Sequence, residues 1–188
     1  MGRSRAHANL AAIPAISRFR PPEFPQAPSM IPLIRAAVVT DVPLILRFIR
    51  DLAAYENLSH ELEATGEKLR ITLFPVDARP AAECILAFDG ATPAGFAIFF
   101  TNYSTFLARP GLYLEDLFVP AALRGRGIGK ALLLHLARLA NQRGCGRLEW
   151  TVLDWNASAI AFYESLGAER KTEWQICRLT GPALLKYQ

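Results

Sequence analysis

Apolar and polar positions along the chain follow two different periods, and these periods predict an ordered domain after residue 30. Between Asp41 and Glu56, apolar residues recur every three or four positions, which is the period of an amphipathic helix. The same period returns at residues 65–73, 127–143 and 156–166. These later segments end beside Pro75, Gly144 and Gly167, as helices commonly do.

Short runs of β-branched and aromatic residues fill the spaces between these helices. They predict strands at residues 31–39, 84–88, 94–101, 112–119, 147–153 and 174–179. The Asp89-Gly90 pair between the second and third strands is typical of a tight hairpin turn. The resulting order, β-α-α-β-β-β-α-β-α-β, favours an α+β domain with a mixed sheet.

Residues 1–29 follow neither period and hold five of the chain's 13 prolines. They contain no continuous apolar stretch like that of a secretory signal. We therefore expect a flexible tail at 1–29 and one domain at 30–188. The tail carries four arginines against one glutamate, which leaves the domain only +1 of the chain's net charge of +4. This near-neutral domain does not favour nucleic-acid binding.

Several other protein classes are excluded by composition. No run approaches the roughly 18 apolar residues that a membrane span needs. Cys84, Cys145 and Cys177 are scattered, without the spacing of a disulfide framework or a zinc site, so no metal is expected. Unpaired thiols of this kind predict a cytoplasmic protein.

The segment most suggestive of chemistry is Arg-Gly-Arg-Gly-Ile-Gly-Lys at residues 124–130. It follows a predicted strand and opens the longest predicted helix, where glycines and backbone amides can bind phosphate. The segment is not a P-loop, because Arg124 stands where the first glycine is needed and Ala131 where Ser or Thr is needed. The dinucleotide fingerprint also fails, since Lys130 replaces its third glycine. Taken alone, the segment is equally consistent with a simple helix-initiating loop.

Three further motifs accompany this loop in a fixed order. Tyr-Leu-Glu-Asp-Leu-Phe-Val at 113–119 precedes it, and Leu-Asp-Trp-Asn at 153–156 and Ala-Phe-Tyr at 161–163 follow it. Together they resemble the GNAT superfamily of acyl-CoA-dependent N-acetyltransferases, over residues 31 to about 185. Within that superfamily the chain is most similar to the diamine (spermidine/spermine) and thialysine N-acetyltransferases.

This resemblance implies a mixed, mostly antiparallel central sheet flanked by helices, with acetyl-CoA as the co-substrate. It places the pantetheine arm along the strand residues Leu117, Phe118 and Val119, and near Asn156. It places the pyrophosphate on the loop residues Arg124, Gly125, Arg126, Gly127, Ile128, Gly129 and Lys130.

The resemblance also implies the catalytic groups. A lysine-like amine has a pKa near 10.4, so its deprotonation at pH 7 costs roughly 4.6 kcal/mol and calls for a base. Glu115 is the implied base and Tyr163 the implied acid that protonates the departing thiolate. Glu115 and Asp116 are adjacent on a predicted strand, so we expect them on opposite faces.

The substrate is less well defined by the sequence. Glu56 and Asp116 are candidate ligands for a cationic amine, although Glu56, together with Glu61 and Glu63, fits an ordinary polar loop equally well. Ser-Thr-Phe at 104–106 replaces the Asp-Pro-Trp of polyamine enzymes, which favours a thialysine-like amino acid over a polyamine.

The resemblance also implies a homodimer, and the expected protein is an enzyme that transfers acetyl directly to a small primary amine. Two alternatives remain: a protein or peptide amine acetyltransferase, and a non-catalytic acyl-CoA-binding module.

Overall fold

The computed structural model describes residues 31–187, and the tail predicted at 1–29 lies outside this range. Five strands form one sheet in the order β1-β2-β3-β4-β5. They are β1 (Leu33–Ala36), β2 (Glu83–Asp89), β3 (Thr92–Ser104), β4 (Arg109–Phe118) and β5 (Leu148–Trp150). Every neighbouring pair is antiparallel except β4 and β5, which are parallel. The predicted mixed, mostly antiparallel α+β fold is confirmed.

Within residues 31–187, five α-helices connect or follow the strands. They are α1 (Val42–Tyr55), α2 (Gly66–Leu73), α3 (Ile128–Gln142), α4 (Ala157–Ser165) and α5 (Pro182–Leu185). Thr65 caps α2 by accepting a hydrogen bond from the Lys68 amide. Within residues 31–187, no helix is both long enough and apolar enough to cross a membrane.

The sheet separates two hydrophobic clusters. On one face, α1 and α2 bury Phe48 against Phe96 of β3, with ring centres 5.5 Å apart. On the other face, α3 buries Leu132 and Leu136 against β3 and β4. We refer to these as the α1 face and the α3 face of the sheet. Both clusters are expected from the helical period of α1 and α3.

A β-bulge interrupts the pairing of β3 with β4. Ile98 pairs with Asp116, but the next residue, Phe99, pairs with Leu114, so Glu115 is an extra, unpaired residue. A bulge of this kind bends the strand and changes the direction of its side chains.

The strands β4 and β5 separate soon after they meet. Their pairing covers only Leu112–Leu114 of β4, opposite Leu148–Trp150. Among the described residues, the edge of β4 that faces β5 has no partner strand beyond Leu114. We refer to the place where the two strands stop pairing as the wedge.

The predicted strand at residues 174–179 is wrong. That segment is irregular, and Trp174 is 73% exposed. Its alternating apolar residues favour a strand locally, but a strand forms only where a neighbour supplies backbone partners. Within the described residues this segment has no such neighbour.

Candidate active site

The glycine-rich loop reaches α3 through two left-handed residues. Gly125 has φ +75° and Gly127, the N-cap of α3, has φ +82°. A side chain at either position would be strained, since L-residues rarely adopt positive φ. Apart from the adjoining residues, no atom of the described chain lies within 4 Å of where a Cβ would stand at either glycine. The loop therefore presents bare backbone to open space.

The first turn of α3 supplies unpaired amide groups to the same space. The first backbone hydrogen bond of the helix joins the Ala131 amide to the Gly127 carbonyl at 2.9 Å. The amides of residues 128–130 precede it and have no partner within the helix. Together with the helix dipole they favour an anion at this point.

The two loop arginines are held by other parts of the protein. Arg124 Nε donates to the Val119 carbonyl at 2.9 Å, and its guanidinium lies 4.1 Å from the centre of the Tyr55 ring. Arg126 forms an ion pair with Asp89 of the β2–β3 turn, at 3.0 Å. Both side chains thus fix the loop in place, whereas Lys130 is exposed at the surface.

The unpaired edge of β4 runs from the bulge toward this loop. It includes Leu117 and Phe118 and continues to Val119. An extended ligand with amide groups fits here as an added strand. The Val119 carbonyl already accepts a hydrogen bond from Arg124. Of the three residues predicted to pair with the pantetheine arm, Val119 is therefore the least open to a ligand.

The bulge corrects the prediction that Glu115 and Asp116 point to opposite faces. Asp116 pairs with Ile98, which belongs to the cluster on the α1 face, so Asp116 lies on that face. Leu114 lies on the α3 face, so Glu115, the next residue, also turns toward α1. Both carboxylates therefore lie on the α1 face, because the extra residue shifts the alternation by one.

A third carboxylate, from the end of α1, lies near these two. Glu56 is the C-cap of α1, and burial raises its pKa. Burial also raises the pKa of Asp116 to about 6, and the negative charges of Glu115 and Glu56 act in the same direction. A cluster that disfavours its own negative charge favours a bound cation. Glu115 itself is exposed and open to a ligand.

Other acidic and loop residues singled out in the sequence lie elsewhere. Glu61 contacts His60 and Glu63 contacts Lys68, in both cases between exposed side chains. Phe106 is 93% exposed in the loop between β3 and β4. Of the three glutamates that follow the first helical pattern, only Glu56 joins the carboxylate cluster.

Tyr163 lies on α4, beside the end of β5. Its ring packs edge-on against Trp150, with centres 4.9 Å apart, and against Phe162 at 5.2 Å. Burial raises the pKa of Tyr163, so its hydroxyl stays protonated at neutral pH. A protonated hydroxyl held by two aromatic rings suits a proton donor, although the raised pKa makes the transfer itself more uphill.

Asn156 has a structural role in addition to the cofactor contact expected of it. Its Oδ1 accepts hydrogen bonds from the Ala159 amide at 3.2 Å and the Ser158 hydroxyl at 3.1 Å. It is therefore the N-cap of α4, as the sequence pattern predicts. Only its Nδ2 group is left to meet a cofactor.

One polar cluster on the α1 face was not predicted from the sequence; it is formed by Asn102, Arg147 and Glu149. No local motif marks it, because Asn102 and Glu149 are 47 positions apart. Among residues 31–187, no three His, Cys, Asp or Glu side chains are grouped to hold a metal ion.

The chain matches the acetyltransferase (GNAT) family over residues 49–168. It belongs to this family. It is 36% identical over 210 residues to an L-ornithine N5-acetyltransferase of Arabidopsis thaliana, covering 87% of this chain and 91% of that protein. It is also 36% identical over 163 residues to a thialysine N-epsilon-acetyltransferase of Bos taurus, covering 81% and 94%.

Structural comparison agrees with this assignment. An integron cassette protein from the mobile metagenome of V. cholerae superposes with a TM-score of 0.68 at 28% identity, covering 84% of this chain and 98% of that one. The GNAT family and the small-amine group predicted from the motifs are both confirmed, and the chain is an N-acetyltransferase.

Proposed function

We propose that this GNAT enzyme transfers acetyl from acetyl-CoA directly to the primary amine of a small cationic substrate. The main support for this proposal is the carboxylate cluster of Glu56, Glu115 and Asp116, which lies beside the unpaired edge of β4. The favoured substrates are amino acids with a terminal side-chain amine, ahead of diamines. The names of the ornithine and thialysine relatives support this class.

The two reactants have separate binding regions in this proposal. The pyrophosphate of acetyl-CoA binds the loop from Arg124 to Lys130 through backbone amides. The pantetheine arm pairs with the edge of β4 from Leu117 to Val119, and the Asn156 amide donates to it. The substrate ammonium binds Glu56 and Asp116 on the α1 face.

Proton transfer is assigned to two residues. Bound acetyl-CoA supplies a thioester carbonyl that a neutral amine attacks. Glu115 accepts the proton that the bound ammonium loses to become this amine and releases it to solvent. As the C–N bond forms and the C–S bond breaks, Tyr163 donates its hydroxyl proton to the sulfur, and the second proton lost by the nitrogen restores the tyrosine. The exposure of Glu115 and the protonated state of Tyr163 support these roles.

A panel of amines offered with acetyl-CoA, with released thiol as the readout, tests this function. We expect turnover with L-ornithine, thialysine and L-lysine. Turnover only with lysine-containing peptides would favour a protein acetyltransferase instead. Binding of acetyl-CoA without any thiol release would favour a non-catalytic module.

A homodimer is also part of the proposal. Apolar residues of the C-terminal segment are each more than half exposed, namely Trp174, Ile176, Leu179, Leu184, Leu185 and Tyr187. Exposed apolar surface of this extent is commonly covered by another chain. Light scattering at micromolar concentration should give twice the single-chain mass of 20.8 kDa, and a value near 20.8 kDa would reject the dimer.

Two further assignments follow the sequence. We propose that residues 30–188 form the catalytic domain and that the protein is cytoplasmic. Cys84, Cys145 and Cys177 are all unpaired, which is consistent with a reducing compartment.

A further inference from the structure

The α1 face of the sheet continues beyond the carboxylate cluster as a partly exposed surface. Phe100 pairs with Tyr113, and Tyr113 pairs with Glu149, so all three side chains lie on this face. The rings of Phe100 and Tyr113 are 5.1 Å apart. Tyr113 lies two residues before Glu115, so an aromatic surface separates the carboxylates from Glu149.

Glu149 is held in a polar cluster at the far end of this surface. Asn102 Nδ2 donates to its carboxylate at 2.6 Å, and Arg147 forms an ion pair with it at 3.0 Å. The side chains of Arg147 and Glu149 keep 37% and 38% of their surface exposed, so a ligand can reach both charges.

The cluster is incomplete without a further polar partner. Asn102 Oδ1 and Arg147 Nε are buried atoms without a hydrogen bond among the described residues. Both lie over Gly111, where a Cβ would clash with Asn102 Oδ1 and stand 3.2 Å from Arg147 Nε. An unsatisfied buried donor and acceptor together are costly, and such pairs call for a functional explanation.

We infer that Arg147 and Glu149 bind the α-carboxylate and α-ammonium of an amino-acid substrate, with Asn102 as the positioning residue for Glu149. This inference rests on the proposed function and identifies how the enzyme tells amino acids from diamines. The aliphatic part of the substrate lies on Phe100 and Tyr113, and its terminal amine reaches the carboxylate cluster.

The spacing along the sheet matches such substrates. Glu149 lies opposite Tyr113 on the neighbouring strand, and Glu115 is the bulge residue two positions after Tyr113, so the two carboxylates are separated along the strand direction by at most roughly 6.6 Å. Four or five extended single bonds of about 1.5 Å, from terminal nitrogen to Cα in ornithine or lysine, span about 5 to 6 Å. A zwitterionic head group also matches the opposite charges of Arg147 and Glu149, whereas the second amine of a diamine gains nothing from Arg147.

The test compares amino acids with their decarboxylated counterparts: L-ornithine with putrescine, and L-lysine with cadaverine. We expect the wild type to favour each amino acid in kcat/KM. Arg147→Met should lower kcat/KM for ornithine at least 10-fold, mainly through KM, and change putrescine less than twofold. Glu149→Gln keeps the side-chain volume and should act in the same direction.

The matched control is Arg143→Met. Arg143 and Glu83 form an ion pair of nearly equal exposure, 36% and 39%, at the opposite end of α3 from the loop. This variant should leave both substrates unchanged. Equal losses for ornithine and putrescine in Arg147→Met, or no loss for ornithine in either cluster variant, would overturn the inference. So would a wild type that prefers the diamines.

A second measurement separates this inference from the proposed function. Calorimetry of ornithine and putrescine binding to the CoA-bound protein does not depend on turnover. Ornithine binding that is lost in Arg147→Met would sustain the head-group site even if no amine were acetylated, an outcome that would defeat only the proposed function. Equal binding of the two ligands would defeat the head-group site.

Discussion

The proposed cofactor and acceptor regions of this enzyme bind their ligands through different groups, backbone amides in the first and side chains in the second. The loop before α3 offers backbone amides, shaped by the positive φ of Gly125 and Gly127. The α1 face offers side chains brought together from α1, β3, β4 and β5. Backbone recognition depends on a few neighbouring residues, whereas side-chain recognition depends on how strands pair. The first is therefore visible in the sequence, while the second is not.

The largest predicted effect comes from the proposed general acid, Tyr163. Tyr163→Phe removes one oxygen and keeps the ring that packs on Trp150. We expect kcat to fall roughly 10²- to 10⁴-fold, as for loss of a general acid, with little change in acetyl-CoA affinity. Steady-state kinetics and calorimetry measure the two quantities.

The control for this change is Tyr187→Phe, at an exposed tyrosine of the C-terminal segment. It should keep wild-type kcat. If Tyr163→Phe did so too, the tyrosine would be a packing residue and nothing more.

The second prediction concerns the electrostatic cost to folding of the carboxylate cluster on the α1 face. Asp116 has a folded pKa of about 6 against an ordinary value of 3.8, so its ionisation opposes folding by up to about 3 kcal/mol above pH 7. Asp116→Asn removes this cost and should raise the stability of the ligand-free protein at pH 8. Chemical unfolding at several pH values measures the difference.

The sign of the pH dependence makes this prediction specific. A raised carboxylate pKa means that the folded state binds the proton more tightly, so this group stabilises the wild type as the pH falls from about 7 toward 4. The advantage of Asp116→Asn should shrink over the same range. An advantage that is absent at pH 8 would show that the cluster carries no electrostatic cost. Activity of the variant should fall, because the substrate cation loses a partner.

The third prediction addresses the backbone region. Gly127→Val places a β-branched residue at φ +82°, which costs about 1–2 kcal/mol. The free loop of the variant should relax away from this conformation, so CoA binding has to restore it and should weaken roughly 5- to 30-fold. The fold should survive, because apart from the adjoining residues no described atom lies within 4 Å of the new Cβ. Gly144→Val is the control, since Gly144 has φ +68° and similar free space beyond the opposite end of α3. Equal CoA affinity in the two variants would contradict the proposal that the pyrophosphate binds this loop.

The smallest expected effect separates two roles of Asn156. Serine caps helices as well as asparagine does, so Asn156→Ser should keep α4 and the melting temperature. It removes Nδ2 and should weaken CoA binding by a factor of roughly 2 to 10, as for one lost hydrogen bond. Unchanged calorimetric affinity would leave Asn156 as a cap alone, while Asn156→Ala should also lower the melting temperature.

The same division explains what the sequence can predict. The loop at residues 124–130 and the Asn156 cap depend on local conformation, so the local amino-acid sequence is enough to locate them. The face on which Glu115 lies depends on a register change against Ile98 and Phe99, which no alternation within β4 reveals. Residues 174–179 show the reverse error, since their strand-like pattern has no strand beside it to pair with in the described part of the chain.

The separation of β4 from β5 after Leu114 has a consequence for handling the protein. An unpaired strand edge is a template on which another chain can add, so the ligand-free enzyme should be prone to self-association through this wedge. A bound pantetheine arm would shield the edge, and its binding free energy would also favour the folded state. The co-substrate would then act as a protective lining, and purification with CoA should give a less aggregated sample.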